Sequence, residues 1–300
     1  MSVFPSRLFL RALGCVVALA GAVSASAKEP FKPNLGPELP RITVTCGDVT
    51  LLLRQATQWT PGRIDFRGSA MTTESSAYGT VFSFPDVGFI GTAHLENEPE
   101  KLQSLDFFLD DKHLDTPAAA LKGGTFRLER KSRIRAFDLT NITEVKDHRL
   151  YETATVHTAE AVPLKLVYHF MHAWRPTVNA FLAGSDAIPE NTISGPLRDD
   201  AEVIRKFYIN QRVDWMAVYE PQSGQFAVSR LLQAPEEGGH ISTIWNVPPT
   251  YRKYYLKSFE GKTVPAGFTG TWRMVTAFGA STPEKWESAA RALAAELRPR

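Results

Sequence analysis

The chain is poor in cysteine, with only Cys15 and Cys46 among its 300 residues. This count excludes a small fold held together by a framework of disulfides. Charge of one sign is also lacking, because 34 Lys and Arg stand against 32 Asp and Glu. The sequence therefore predicts no broad basic surface for nucleic acid. It also lacks the common dinucleotide, P-loop, zinc-protease and serine-hydrolase motifs, so we expect no bound cofactor and no metal.

Long hydrophobic runs are absent as well. The longest apolar stretch, Ala12–Val23, is shorter than the roughly 20 residues that a membrane helix needs. Arg7 and Arg11 precede it, and the small residues Ala25–Ala27 follow it. This order is typical of a signal peptide with a cleavage site. We therefore predict a signal peptide at residues 1–27, cleavage near Ala27, and a periplasmic or secreted mature chain without a transmembrane segment.

The predicted mature chain has only one cysteine, Cys46, so it can form no internal disulfide. Such an exported protein depends on core packing, which favours a large sheet-rich core. Cys46 is expected to be a buried small apolar residue. Cys15 leaves a lipid anchor open as an alternative, although very little apolar sequence separates it from Arg11. The proline-rich residues 28–40 predict an extended lead-in.

Strand-type patterning dominates the rest of the chain. Apolar and polar residues alternate in many short segments, among them Arg41–Cys46, Ile134–Asn141 and Leu164–His172. Turn-forming residues separate these segments at hairpin spacing. The pattern predicts an all-β fold, a large antiparallel β-sandwich formed by a single domain over residues 41–300.

One helix is expected at the C-terminal end, over residues 283–297. Pro283 suits a first helical turn, and Ser281 with Glu284 has the spacing of a capping box. Apolar residues then recur at helical spacing from Trp286 to Leu297. This apolar stripe predicts a helix that covers a face or edge of a sheet.

Histidines provide the first candidates for chemistry. In the segment around Leu164–His172, strict alternation places Tyr168, His172 and Trp174 on a core face and His169 on the opposite, more open face. Because His169 and His172 then face opposite ways, a shared metal ion is not expected. Two structural histidines that bond to backbone groups are the alternative.

A second candidate is His94, which is followed two residues later by Glu96. On a strand the two side chains share one face, where the carboxylate can orient the imidazole and raise its basicity. The alternative is an exposed polar face at a sheet edge.

Further candidates are charged residues near turns and aromatic residues near strand ends. Arg63 and Arg67 lie four residues apart between glycines and can present guanidinium groups to sugar hydroxyls or to a carboxylate. Surface salt bridges are the alternative for both. Glu220 stands at a strand end before a turn, a position that suits a general base, although most carboxylates at such positions are merely solvated. Trp174 and Trp245 offer flat apolar rings of the kind that pack on sugars, as well as ordinary core packing.

The order of these features resembles the galactose mutarotase-like (aldose 1-epimerase-like) superfamily. The segment Gly62-Arg63…Arg67, then His94, then Tyr168–Trp174 (Y-H-F-M-H-A-W), follows the order of that family's arginine and histidine segments. The resemblance implies a β-supersandwich that binds a carbohydrate on a concave sheet face. It also implies acid–base roles for His94, His169 or His172, with Arg63 and Arg67 as substrate clamps. A glutamate one hairpin before the closing turn is part of the family's pattern, and Glu220 lies one hairpin too early.

Three functions remain open from the sequence. The first is a sugar epimerase that uses the histidines as acid and base. The second is a polysaccharide lyase in which a histidine or tyrosine abstracts the proton next to a uronate carboxylate, with Tyr168, His169 and Tyr151 as candidates. The third is a non-catalytic glycan-binding envelope protein with aromatic loops.

Overall fold

Strands make up most of the residues that the computed structural model describes, which are 40–74, 77–94, 96–188, 191–199 and 207–299. The predicted signal peptide and all but the last residue of the predicted lead-in lie outside the described residues.

The strands are β1 Arg41–Cys46, β2 Val49–Arg54, β3 Pro61–Phe66, β4 Ser69–Ala70, β5 Val81–Phe84, β6 Gly88–Gly91, β7 Lys101–Leu109, β8 Lys112–Leu114, β9 Ala120–Gly123, β10 Phe126–Ile134, β11 Phe137–Lys146, β12 Arg149–Thr158, β13 Val162–Pro163, β14 Leu166–Trp174, β15 Ala180–Gly184, β16 Thr192–Pro196, β17 Ile209–Gln211, β18 Trp215–Glu220, β19 Gln225–Gln233, β20 Ile241–Val247, β21 Tyr251–Ser258, β22 Thr263–Val264 and β23 Thr269–Ala280. A single turn of 3₁₀ helix at Gln55–Thr57 and one α-helix, α1, at Trp286–Glu296 complete the described elements.

The large sheet has ten antiparallel strands in the order β16-β15-β18-β19-β23-β12-β11-β10-β7-β8. A six-stranded sheet has the order β17-β20-β21-β14-β5-β6, and a five-stranded sheet has the order β4-β3-β2-β1-β9. Strands β13 and β22 form a further two-stranded pair. The predicted all-β antiparallel sandwich with one C-terminal helix is confirmed, and the β1–β9 pair is parallel.

The six-stranded sheet packs with its inner face on the large sheet. Phe82 of β5 stacks on Phe137 of β11 with ring centroids 4.3 Å apart. Trp174 of β14 and Trp272 of β23 have no exposed surface and belong to the same core. Cys46 is also buried there, as predicted, and burial raises the pKa of its thiol to about 11.

Strand β14 contains a bulge that overturns the predicted alternation. His169 pairs with Leu256 of β21 and His172 pairs with Tyr254, so three steps along β14 match two steps along β21. Phe170, inside the bulge, has a φ of 55°. The extra residue brings His169 and His172 onto the same face of the sheet.

That shared face is the inner one. His169 therefore points into the core, where the alternation predicted a more open face. Tyr168 points to the outer face of the six-stranded sheet, where the alternation predicted the core. The predicted positions of His172 and Trp174 on the core face are correct.

Helix α1 lies on the outer face of the large sheet, and it begins three residues after Pro283. The amide nitrogen of Trp286 donates to the carbonyl of Thr282 in a turn that precedes the helix. The Glu284 carboxylate accepts from the Thr282 side chain, so the predicted capping box with Ser281 does not form.

The buried face of α1 is the predicted apolar stripe. Trp286 stacks on Tyr219 with centroids 5.2 Å apart, and Ala290 and Ala294 are buried against the sheet. No helix in the described ranges combines the length and the apolar character needed to cross a bilayer.

Candidate functional site

His169 is enclosed in the core between the six-stranded and the large sheet. Its ring lies 4.3 Å from that of Trp272, and its Nδ1 is 3.1 Å from the Thr80 hydroxyl. The Thr80 hydroxyl donates to Asn141 Oδ1 at 3.0 Å, so His169 Nδ1–H donates to Thr80. Burial lowers the pKa of His169 to about 3. A neutral imidazole without exposed surface cannot serve as the acid that the sequence analysis assigned to it.

His172 and Trp174 are buried on the same inner face. His172 Nε2 is 2.8 Å from Glu152 Oε2 of β12, and its ring meets that of Trp174 edge-on at 5.1 Å. Trp174 is a core residue and offers no surface to a substrate, contrary to the expected binding role. The predicted pairing of His169 or His172 with His94 at one site is therefore not present.

The outer face of the six-stranded sheet carries a different group of residues. We call it the outer-face cluster, and it consists of Tyr78, Phe89, His94, Glu96, Tyr168, Trp245, Lys253 and Tyr255. It brings together four of the residues singled out from the sequence: His94, Glu96, Tyr168 and Trp245.

The local backbone turns His94 onto the sheet. Strand β6 ends at Gly91, whose carbonyl accepts from the His94 amide at 3.0 Å. A Cβ at Gly91 would lie 2.5 Å from the Cα of Val81, so only glycine fits there. Ala93 adopts a φ of 65°, and its amide donates to Gln58 Oε1, which fixes the turn. The imidazole of His94 then stacks on Tyr78 at a centroid distance of 4.3 Å.

Three side chains form a continuous hydrogen-bond chain. His94 Nδ1 lies 2.5 Å from Glu96 Oε1, as the spacing of the two residues predicted. Because an ionised carboxylate only accepts, His94 Nδ1 carries the proton and donates. His94 Nε2 is then the acceptor and receives the Tyr168 hydroxyl at 2.7 Å. Glu96 thus fixes the tautomer in which His94 can take a proton from Tyr168.

Burial sets the protonation states in this chain. It lowers the pKa of His94, an effect that the Glu96 carboxylate opposes and the Lys253 ammonium supports. It raises the pKa of Tyr168 well above the ordinary value, with neighbouring tyrosines adding to the effect. Near neutral pH the site therefore holds a neutral imidazole and a protonated phenol, which is a base beside a proton donor.

Lys253 places its ammonium group next to this chain. Its Nζ lies over the rings of Tyr168 at 5.0 Å, Tyr255 at 5.2 Å and Tyr78 at 5.4 Å, and over that of Trp245 at 5.7 Å. Burial lowers the pKa of Lys253 to about 8, with the Glu96 carboxylate opposing the shift. Cation–π attraction holds the ammonium in place. An anionic ligand group at the cluster would meet a cation already positioned by these rings.

Two exposed aromatic residues border the cluster. Phe89 is 39% exposed and its ring lies 6.2 Å from that of Tyr168. Phe207 is 47% exposed and meets Trp245 edge-on at 6.4 Å. Exposed flat rings beside a polar centre are a surface on which sugar rings can pack.

The remaining predicted residues lie elsewhere. Arg63 and Glu220 line one surface cleft of about 700 Å³. Arg63 pairs with Asp65 at 2.7 Å, and the Glu220 carboxylate accepts from the backbone and hydroxyl of Ser223 at 2.7 and 2.6 Å.

Hydrogen bonds from Ser223 and the neighbouring backbone lower the pKa of Glu220 although burial raises it. Its carboxylate thus stabilises a turn. Arg67 pairs with Asp48 at 3.0 Å, which is the salt-bridge alternative. Neither arginine reaches the outer-face cluster as a substrate clamp.

Sequence reasoning missed Lys253 and Tyr78. A signal for Lys253 was present, because Tyr251, Lys253 and Tyr255 alternate along β21 and so share the outer face. Tyr78 lies in a loop without periodicity, so only the folded chain reveals its position. Among the described residues, no three His, Cys, Asp or Glu side chains are arranged to hold a metal ion.

Comparison with known proteins gives a likeness of fold. No protein-family model matches the chain, and no curated protein matches it. Among solved structures, it is similar to a GalM/aldose epimerase homologue from C. elegans, with 9% identity, 81% of this chain and 100% of the other covered, and a TM-score of 0.47.

Two further structures are similar over most of this chain. A galactose mutarotase-like protein from Clostridium acetobutylicum shows 10% identity, with 79% of this chain and 94% of the other covered, and a TM-score of 0.46. A GH36 alpha-galactosidase from Geobacillus stearothermophilus shows 9% identity, with 82% and 40% covered, and a TM-score of 0.45. One of these structures is described as galactose mutarotase-like, the superfamily that the sequence resembles. The likeness concerns the fold alone.

Proposed function

We propose that this protein is an exported carbohydrate-active enzyme that acts on a uronate-containing polysaccharide by elimination, as a polysaccharide lyase does. One observation carries the proposal: the Glu96–His94–Tyr168 hydrogen-bond chain lies beside the Lys253 ammonium on an aromatic sheet face. Export is supported by the leader-like sequence of residues 1–27.

The arrangement supplies the groups that elimination requires. The uronate carboxylate binds at the Lys253 ammonium, which lowers the cost of removing the proton from the adjacent ring carbon. Tyr168 is only 3% exposed, so this step requires the substrate to enter the cluster beside the exposed Phe89. The Tyr168 oxygen then takes that proton as it passes its own to His94 Nε2, so no free phenolate forms. The electron pair of the broken C–H bond forms the ring double bond, and the glycosidic C–O bond breaks.

The leaving oxygen must be protonated for the reaction to close. Tyr168 gives the proton it has taken to that oxygen while it receives one back from the His94 imidazolium, so protons and charge balance over the cycle. Glu96 holds the imidazolium in place while it is charged, as the third member of a triad does.

The epimerase hypothesis finds less support. Mutarotation needs an acid at the ring oxygen and a base at the anomeric hydroxyl. His169 or His172 was the expected acid, but His169 is enclosed in the core with a pKa lowered by burial, and His172 is buried against Glu152. The described residues thus provide one proton-transfer pair at the outer face.

The test is the ultraviolet absorbance of unsaturated uronate ends. The full chain and its Tyr168→Phe variant are incubated with polygalacturonate, alginate and chondroitin. We expect absorbance to rise with at least one polymer. The rate of this rise should be about 10² to 10⁴-fold lower in the variant, because this is the usual contribution of a positioned proton donor or acceptor. Tyr219→Phe is the matched control, because Tyr219 lies under helix α1 and donates only to the Ser281 carbonyl.

Absence of absorbance with all three polymers would overturn the elimination proposal. If a polymer then still bound with unchanged affinity after His94→Ala, the exposed Phe89 and Phe207 would be a binding platform without chemistry. Export is tested by the N-terminus of the purified mature protein, which we expect at Lys28.

A further inference from the structure

A cavity lies behind the outer-face cluster, between the six-stranded sheet and the large sheet. Its enclosed volume is about 40 Å³, and it opens to solvent at a mouth. We call it the inter-sheet cavity, and its walls include Trp59, Tyr78, Arg130, Asn141, Glu152 and Thr153. A closed part of this size has room for about three ordered waters or for one edge of a larger polar molecule.

Two unpaired hydrogen-bond donors line this cavity. Arg130 of β10 and Asn141 of β11 are direct cross-strand partners, so their side chains stand side by side. Arg130 is only 4% exposed, and its Nη atoms bind the Glu100 carboxylate at 2.7 and 2.5 Å. Within the part of the chain that the structure describes, its Nε has no hydrogen-bond partner, and neither has the buried Nδ2 of Asn141, whose Oδ1 accepts from Thr80.

Burying a donor without a partner is unfavourable, so two of them at one cavity indicate a missing acceptor. The Glu100 carboxylate balances the charge of Arg130, which makes the cavity a poor place for a free anion.

The cavity also contains an acceptor. Glu152, whose Oε2 accepts from His172 Nε2, is part of the cavity wall. A carboxylate accepts from two neighbouring hydroxyls, while an arginine Nε–H and an amide NH₂ donate to the same hydroxyl oxygens. Trp59 adds a flat apolar ring at the wall.

We propose that the inter-sheet cavity is a second binding site, separate from the outer-face cluster, for a neutral polyhydroxylated ligand such as a monosaccharide. One vicinal diol edge enters the cavity, donates to Glu152 and accepts from Arg130 and Asn141. The rest of the ring occupies the mouth against Trp59. Its described walls share Tyr78 with the outer-face cluster but include neither His94, Tyr168 nor Lys253, so the site does not depend on the elimination chemistry.

The experiment is equilibrium binding of D-glucose, D-galactose and D-mannitol to the full chain, followed by calorimetry and by amide NMR shifts. We expect at least one of them to bind and to shift the amides of β11 and β12. Glu152→Gln keeps the size of the side chain and its contact with His172 but removes one acceptor oxygen. It should weaken binding by about tenfold or more.

Glu144→Gln is the matched control on β11, since Glu144 pairs with Lys146 at the surface and lies outside the cavity. Tyr168→Phe distinguishes the two sites and should leave this affinity unchanged. The proposal is overturned if none of the three polyols binds at tens of millimolar. It is equally overturned if Tyr168→Phe weakens binding as much as Glu152→Gln does, or if Glu144→Gln matches the loss.

Discussion

His169→Phe should make the protein less sensitive to acid. In the folded chain His169 has no exposed surface, and burial lowers its pKa from 6.5 to about 3. The unfolded chain binds a proton at this residue below about pH 6.5, while the folded chain does so only below about pH 3. The residue therefore gives its full stability above pH 6.5, and that stability is lost as the pH falls from 6.5 towards 3.

The magnitude follows from the two pKa values. At pH 5, which is about 1.5 pH units below the unfolded-state pKa, protonation of this residue stabilises the unfolded chain relative to the folded chain by about 2 kcal/mol. Phenylalanine cannot titrate, and it keeps a ring against Trp272. The Thr80 hydroxyl still donates to Asn141, so the substitution leaves no donor unpaired.

The assay is urea unfolding of both proteins at pH 7.5 and pH 5, with the free energy of unfolding taken from each curve. We expect the loss between the two pH values to be about 2 kcal/mol smaller in the variant than in the parent. Carboxylates also titrate in this pH range, but they contribute equally to both losses, so their contribution cancels in the comparison. Equal losses in both proteins would refute the inference that His169 is buried and neutral.

Three further outcomes are expected. Glu100→Gln leaves the Arg130 guanidinium unpaired in the core and should lower the free energy of unfolding in urea by about 3–5 kcal/mol. The double change Glu100→Leu with Arg130→Met should recover most of this loss. A loss of less than about 1 kcal/mol in the single variant would contradict the buried pair. Lys253→Met removes a cation that lowers the pKa of His94, so NMR titration should show that pKa rise, and an unchanged value would place the ammonium elsewhere. Trp286→Ala should cost about 3–5 kcal/mol by undocking helix α1, and a cost near zero would contradict its packing on the sheet.

Most of the fold was predictable from local pattern. Strand β1 coincides with the predicted Arg41–Cys46, because period-two alternation reflects a strand with one buried face. The predicted strand Ile134–Asn141 starts too early, since a hairpin turn at Arg135 separates β10 from β11, which begins at Phe137. Arg135 adopts a φ of 51° without the glycine or asparagine that usually signals such a turn.

The candidate site was predictable only in part. His94 and Glu96 form the contact that their spacing predicted, because two residues on one local segment determine it. Tyr168 and His169 lie on the faces opposite to those predicted, because β14 contains a bulge. The sequence of one strand does not specify this bulge, since its register depends on pairing with β21. Lys253 lies at the site because the sheet topology places β21 beside β14.

Deuterium exchange tests the central claim most directly, namely that Tyr168 and His94 remove the proton next to a uronate carboxylate. A uronate oligosaccharide is incubated in D₂O with the full chain, and NMR records deuterium at the ring carbon beside the carboxylate together with the unsaturated product. We expect the parent protein to incorporate deuterium or to form this product, and Tyr168→Phe to do so at least 100-fold more slowly. Neither signal with the parent, or undiminished signals with the variant, would contradict it.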